Sequence, residues 1–201
     1  SSPALYAILA EKGFFSKEEL KGFRKLGSSL QGHPDLNKVP GVDMTSGSLG
    51  QGLSVACGMA LASKLKNQTN KIYCIVGDGE IQEGQIWEAA MTASHYRLDN
   101  LCLIVDNNNL QIDGKVSDVM SPYPIVEKLE SFGFAVFKVD GNDIESLLNV
   151  FEQTKIIKEK PIAIVANTVK GKGISFMEDK AQWHGKAPNQ EEYEKAMLEL
   201  M

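Results

Sequence analysis

Two polar clusters contain the residue types that hold a divalent cation and a phosphate. Gly77-Asp78-Gly79 places one carboxylate between two glycines, and Asn107-Asn108-Asn109 follows about thirty positions later. An Asp78 oxygen, the Asn108 amide oxygen and the Leu110 carbonyl would leave open positions for phosphate oxygens and water, which is how Mg²⁺ is usually held. The glycines would allow a tight turn and a close approach of the backbone to the anion. A strand-end turn followed by a polar loop would also explain these residues without any ligand.

The elements around these clusters predict that they lie side by side. Residues 72–76 and 101–105 are apolar runs of strand length, and the segment between them has a helical pattern. Two such strands joined by a helix make a βαβ unit with a right-handed crossover. Both clusters then fall at the carboxyl ends of neighbouring parallel strands, where open α/β sheets bind their ligands.

The same alternation of elements continues to the end of the chain. Further helices are predicted over residues 4–11, 85–98, 122–132 and 144–159, with one long helix ending near residue 66 and strands over residues 134–139 and 161–167. This pattern predicts an α/β fold with a mainly parallel sheet flanked by helices. We expect a single domain over residues 1–201.

Composition narrows the classes of protein to consider. The chain has 201 residues, of which 43% are hydrophobic and 23% charged, as is ordinary for a globular domain. A net charge of −5 argues against a nucleic-acid or anionic-membrane partner. No apolar run approaches the roughly twenty residues that cross a bilayer. Cys57, Cys74 and Cys102 lie in apolar stretches, which predicts buried free thiols and a cytoplasmic location.

Two histidines and two glutamates are candidate site residues, but their local sequence indicates a function less clearly than the two polar clusters do. His33 lies in a Gly-His-Pro loop and His184 lies between Trp183 and Gly185. A loop histidine is more often solvated than catalytic, although an imidazole can relay protons near neutral pH. Glu80 and Glu83 follow the glycine turn, where acidic residues also favour the dipole of a helix.

These segments together resemble transketolase. A Gly-Asp-Gly followed about thirty residues later by Asn-Asn is similar to the diphosphate-binding signature of thiamine diphosphate enzymes. The resemblance is specifically to transketolase and covers nearly the whole chain. The segments that carry it are GDGEIQEGQIWEA, DNNNLQIDG, QGHP, SLGQG and WHGKAP. Ser48 stands where the family often has proline, which removes a fixed φ from that loop.

The resemblance implies a thiamine diphosphate-binding fold and assigns a role to each candidate. His33, His184 and Glu83 would act in catalysis, the glutamate through a carboxylate network at an interface between subunits. The metal, Mg²⁺ or in its place Ca²⁺ or Mn²⁺, would be held by Asp78, Asn108 and Leu110. The residues implied to contact thiamine diphosphate are Gly47, Leu49, Gly77, Asp78, Gly79, Glu80, Asn108, Ile112 and His184.

The resemblance further implies the reaction and the partners. A two-carbon ketol unit would pass from a ketose phosphate to an aldose phosphate. The family's pyrimidine-binding domain is absent, so we expect the partners to be a C-terminal transketolase subunit and a second copy of this chain, in a homodimer. The match begins inside the family's chain, so an N-terminal segment is expected to be lacking. The alternatives are a deoxyxylulose-phosphate synthase-like enzyme, a dehydrogenase subunit of the same cofactor class, or a non-catalytic binding remnant.

Overall fold

Six strands form two sheets in the computed structural model, which describes residues 1–201. The strands are β1 (Ile72–Gly77), β2 (Leu101–Asn107), β3 (Leu110–Gln111), β4 (Gly114–Lys115), β5 (Ala135–Asp140) and β6 (Ile162–Asn167). The main sheet has the order β1-β2-β6-β5, and every neighbouring pair in it is parallel. The two shortest strands, β3 and β4, make a separate antiparallel hairpin.

Seven α-helices connect or flank these strands. They are α1 (Ser2–Glu11), α2 (Gln51–Leu65), α3 (Gly84–His95), α4 (Val116–Val119), α5 (Ile125–Ser131), α6 (Ile144–Thr154) and α7 (Gln190–Glu199). Short 3₁₀ turns cover Lys17–Gly22, Glu80–Gln82 and Ala181–His184. None of the helices is both long enough and apolar enough to span a bilayer.

The main sheet is buried on both faces, which explains its nearly continuous apolar strands. In β6, Ala163 and Val165 join a core with α2, α3 and α5, whereas Ile162 and Ile164 join a second core with α6. Alternate residues of a strand point to opposite faces, so these helices cover the two sides of the sheet. The predicted parallel sheet flanked by helices is confirmed.

The chain divides into two compact units, Ser1–Gly52 and Leu53–Met201. The first unit contains α1, the first 3₁₀ turn and a long loop around a small core of Tyr6, Leu9, Leu30 and Val39. A hydrogen bond from the Tyr6 hydroxyl to the Gln31 carbonyl, at 2.7 Å, secures this loop. The second unit contains the whole sheet. The expectation of a single cofactor-binding domain over residues 1–201 stays a prediction.

The predicted helix over residues 122–132 is shorter than expected. It begins at Ile125, because Pro124 occupies the N-cap in an extended conformation and Pro122 precedes it. A proline disfavours helical geometry in the residue before it, so this segment cannot enter the helix earlier. The helix predicted over residues 144–159 likewise ends at Thr154.

The register of the main sheet aligns the ends of its strands. Gly77 of β1 lies opposite Asp106 of β2, and Asn107 of β2 lies opposite Asn167 of β6. Polar residues that follow three adjacent strands are therefore neighbours at one edge. This edge is where the sequence predicts the phosphate and metal site.

Candidate cofactor site at the carboxyl edge of the sheet

Asp78 is a buried carboxylate at the end of β1, with 1% of its surface exposed. Its Oδ1 accepts a hydrogen bond from the Gly79 N–H at 2.9 Å, and its Oδ2 accepts one from the Asn109 N–H. Its own N–H donates to the Asp106 carbonyl at 3.1 Å. The loop after β2 is thus hydrogen-bonded directly to the Asp78 side chain.

The electrostatics of this carboxylate favour a bound cation. Burial raises the pKa of Asp78, and the nearby Asp106 carboxylate adds to the rise, while the Asn109 and Gly79 N–H groups oppose it. No lysine, arginine or histidine forms an ion pair with Asp78. A buried carboxylate without a positive partner is costly, and a divalent cation would remove that cost.

The other two predicted metal ligands lie directly after β2. Asn108 is half-buried, and its Oδ1 accepts a hydrogen bond from the Leu110 N–H at 2.9 Å. An amide oxygen has two lone pairs, so this turn leaves one for a metal. Leu110 opens the β3–β4 hairpin and is buried. One carboxylate, one amide and one carbonyl suit Mg²⁺, and no cluster of three or more His, Cys, Asp or Glu side chains offers a different metal site.

The two glycines beside Asp78 have different surroundings. A Cβ at Gly79 would lie 3.3 Å from the Gln111 Cβ, so the β3–β4 hairpin comes close to this turn. A Cβ at Gly77 would meet no atom within 4 Å beyond its two neighbours in the chain. The open space at Gly77 is where a diphosphate could approach the backbone.

The two glutamates after the glycine turn occupy different positions. The Glu80 carboxylate turns back and accepts a hydrogen bond from the Gly77 N–H at 3.2 Å. Glu83 is the exposed N-cap residue of α3 and makes no side-chain capping bond. Ile112, at the tip of the β3–β4 hairpin, is 71% exposed. Glu83 and Ile112 are therefore free to contact another molecule.

A polar network that the sequence did not indicate joins three strand ends. The Tyr123 hydroxyl donates to Asn107 Oδ1 at 2.9 Å, and Asn107 Nδ2 donates to Asn167 Oδ1 at 2.8 Å. The Thr168 hydroxyl donates to the Asp106 carboxylate. Tyr123 lies between two prolines and belongs to no recognisable motif. Nothing in the sequence therefore connects it with Asp78.

His184 lies in the last 3₁₀ turn, which packs against β3. The Trp183 ring beside it is held by a hydrogen bond from its Nε1 to the Phe176 carbonyl at 3.1 Å. Partial desolvation, together with the nearby Lys170 ammonium, lowers the pKa of His184. Its imidazole is therefore neutral near pH 7 and can accept or pass on a proton.

In the first unit, His33 packs directly on Gly47. A Cβ built at Gly47 would lie 2.7 Å from the His33 Cγ, and the backbone there has a φ of +128°. Only glycine suits that combination of conformation and contact. Leu49, two residues further on, is 58% exposed.

The structure therefore groups most of the predicted site residues at two places. The second unit brings Gly77, Asp78, Gly79, Glu80, Asn108, Leu110 and Ile112 to the edge of the sheet, beside the turn that carries His184. The first unit brings together His33 and Gly47, with Leu49 nearby in the chain. Glu83 lies at the start of α3.

Comparison with known proteins shows which family shares these features. The family described as "Transketolase, thiamine diphosphate binding domain" matches residues 1–200. The class defined by the fold and this edge is thus a thiamine diphosphate-binding α/β domain, and the chain belongs to the transketolase family.

Individual relatives support the same assignment. The chain is 44% identical to one subunit of the apulose-4-phosphate transketolase of Actinobacillus succinogenes, over 97% of this chain and 70% of the relative. It is 45% identical to the 6-deoxy-6-sulfo-D-fructose transketolase subunit SqwG of a Clostridium strain, over 98% and 72% of the two chains. A transketolase structure from Campylobacter jejuni superposes with a TM-score of 0.85 at 37% identity, covering 90% of this chain and 29% of that one.

Proposed function

We propose that this chain is the diphosphate-binding subunit of a two-subunit transketolase, with thiamine diphosphate and Mg²⁺ as cofactors. The observation that carries the proposal is the Asp78 carboxylate, buried without a cationic partner and bonded to the loop that contains Asn108. This arrangement supplies hard oxygen ligands at the edge of a parallel sheet, where such folds bind their ligands. The family match supports a transketolase, and the naming of the Actinobacillus relative as a subunit supports the division into subunits.

The residues at the sheet edge would hold the metal and the diphosphate. Asp78, Asn108 and the Leu110 carbonyl would bind the metal, and the open space beside the Gly77 Cα would admit a phosphate. Glu80 keeps the turn closed through its bond to the Gly77 N–H. Ile112, Leu49 and Gly47 would contact the organic part of the cofactor. Thiamine diphosphate, when bound, supplies a carbon nucleophile that can carry a two-carbon ketol unit.

The two histidines would hold and move protons on the sugar. The lowered pKa of His184 leaves its imidazole neutral near pH 7, so it can accept a hydroxyl proton. His33 packs directly on Gly47. These positions support acid–base roles at the substrate hydroxyls.

The substrates that we propose are a ketose phosphate donor and an aldose phosphate acceptor. The named substrates of two relatives, apulose 4-phosphate and 6-deoxy-6-sulfo-D-fructose, are both sugars with an anionic group. Their names support an anionic sugar as substrate.

A second protein would complete the site. Two relatives are named as transketolase subunits, and the exposed Leu49, Ile112 and Glu83 of this chain offer contacts to such a partner. We propose that this partner is a pyrimidine-binding subunit, and that the chain also self-associates through the start of α3.

Calorimetric titration with thiamine diphosphate tests the cofactor and the metal together. Binding should require Mg²⁺ and disappear with a chelator. Asp78→Asn removes the only charged ligand and should weaken binding at least tenfold, about 1.4 kcal/mol. Asp118→Asn, at an exposed position in α4, is the matched control and should bind as the wild type does. Undiminished binding by Asp78→Asn would refute the metal assignment.

A further inference from the structure

Tyr123 connects the core of the second unit with the polar edge of the sheet. It lies between α4 and α5, and its ring packs against the larger core cluster. Its hydroxyl donates to Asn107 Oδ1 at 2.9 Å and lies 3.5 Å from Asp78 Oδ2. The hydroxyl therefore lies between the strand end that carries Asp78 and the loop that follows β2.

The orientation of the Asn107 amide is set from its other side. Asn107 Nδ2 donates to Asn167 Oδ1 at 2.8 Å, at the end of β6. The amide oxygen of Asn107 must then point towards Tyr123, where it can only accept a hydrogen bond.

These bonds hold both neighbours of Asn108. On one side, Asn107 is bonded to the Tyr123 hydroxyl. On the other side, the Asn109 N–H donates to Asp78 Oδ2, the same oxygen that lies nearest Tyr123. Hydrogen bonds to Tyr123 and Asp78 thus fix the residues on both sides of Asn108.

We propose that Tyr123 is a positioning residue whose hydroxyl sets the placement of Asn108 relative to Asp78 before a cation binds. This inference rests on the function proposed above, in which those two residues hold the metal. Groups that orient metal ligands typically change metal affinity by ten- to a hundredfold when they are removed. The effect should depend on the metal, because Mg²⁺ demands near-ideal octahedral geometry and Ca²⁺ accepts flexible coordination.

The test is the cation dependence of thiamine diphosphate binding by the full chain with Tyr123→Phe, which keeps the ring and removes only the hydroxyl. We expect the Mg²⁺ concentration for half-maximal binding to rise about tenfold. The Ca²⁺ concentration should rise about threefold or less, because Ca²⁺ tolerates a displaced ligand. Asn107→Ala removes the acceptor of this hydrogen bond and should likewise raise the Mg²⁺ requirement more than the Ca²⁺ requirement. The double variant should need no more Mg²⁺ than either single variant. Tyr96→Phe, at an exposed tyrosine, is the control and should leave both values unchanged.

Two outcomes would overturn the inference, and a third separates it from the proposed function. A Mg²⁺ requirement unchanged in Tyr123→Phe would show that the hydroxyl does not position the site. If the required Mg²⁺ and Ca²⁺ concentrations rose equally and the melting temperature fell, the hydroxyl would have a role in stability alone. Absence of metal-dependent cofactor binding in the wild-type chain would instead overturn the proposed function, and with it this inference.

Discussion

The carboxylate of Asp78 shows how burial and hydrogen bonding compete at one residue. Burial raises its pKa, and two backbone N–H groups lower it again by stabilising the charged form. Those same N–H groups orient the carboxylate, because each of its two oxygens accepts one of them. A ligand that is oriented before the cation arrives loses little conformational freedom on binding.

The lowered pKa of His184 should be measurable and should affect the stability of the chain at acidic pH. Its pKa should lie below the ordinary value of 6.5, because desolvation and the Lys170 ammonium both disfavour the charged imidazole. The unfolded chain then takes up this proton first, so acidification through the region below 6.5 should reduce stability. Titration of the imidazole by NMR measures the pKa directly.

Removing the Lys170 charge should shift this titration. Lys170→Met should raise the pKa of His184 only part of the way to its ordinary value, because desolvation, the largest cause of the shift, remains. Lys172→Met is the matched control, because Lys172 pairs with Glu178 at 3.5 Å and should have no effect on the imidazole. An unchanged pKa in Lys170→Met would contradict the electrostatic explanation.

Gly47 provides a second prediction at the residue scale. Gly47→Ala adds a Cβ that would lie 2.7 Å from the His33 ring, at a backbone φ of +128°. We expect a loss of roughly 1–3 kcal/mol in the free energy of unfolding, together with a displaced His33 ring. Denaturant unfolding and the NMR signals of the His33 ring would measure the two effects.

Gly58 is the matched control for that substitution. It lies within α2, and a Cβ there would meet nothing within 4 Å. Gly58→Ala should therefore stabilise the chain by about 0.5–1 kcal/mol, the usual gain at an exposed position inside a helix. If both substitutions changed stability by the same amount and sign, the contact between Gly47 and His33 would not be the cause.

At the scale of elements, α7 is held in place mainly by its ends. Asn189 caps it with a reciprocal capping box, in which Glu192 N–H donates to the Asn189 side chain and Asn189 N–H donates to the Glu192 carboxylate. Near its other end, the Glu199 carboxylate accepts hydrogen bonds from the Ser175 N–H and hydroxyl. Only Ala196 of this helix is buried, so few packing contacts replace a lost cap.

We predict that Asn189→Ala costs about 1 kcal/mol of stability, the typical effect of removing an N-cap. Asn189→Asp keeps a side-chain acceptor and should cost no more than a few tenths of that amount. Hydrogen exchange of the α7 amides, with thermal unfolding of the whole chain, would check both variants. Equal protection in the alanine and aspartate variants would contradict the role of the cap.

At the scale of the whole molecule, the chain offers one half of the site that we propose. Ile112 is 71% exposed, and the hairpin that carries it also carries Leu110, whose carbonyl we propose as a metal ligand. Exposed apolar residues beside a cofactor site are typical of surfaces that another protein covers.

The chain alone should therefore associate and should lack ketol transfer. Light scattering should show a species larger than 22.0 kDa, the mass of one chain. A ketose-to-aldose transfer assay should give activity only after a pyrimidine-binding subunit is added. In that assembly His33→Ala should lower turnover by roughly a hundredfold, the scale of a lost acid–base group, with little change in cofactor affinity. A monomer that transfers the ketol unit unaided would contradict the proposal of a shared site.

The sequence alone determined the type of fold and the strands that bear the site. The apolar runs before Asp78 and Asn107 predict buried strands, and the helix between them requires a parallel crossover, so the two polar clusters had to share an edge. The buried thiols Cys57, Cys74 and Cys102 were also predictable, because all three lie in apolar segments and the structure buries them. Such features depend on local periodicity, which a sequence displays directly.

Which side chains complete this edge of the sheet depends on contacts between distant parts of the chain. Tyr123 reaches Asn107 from 16 positions away, and Asn167 reaches it from 60 positions away, so neither contact has a local pattern. The contact of Gly47 with His33 is likewise hidden, because it depends on how a loop without regular structure folds back. Side chains brought together by the packing of distant elements obey no periodicity along the chain, and for that reason these partners became visible only in the folded molecule.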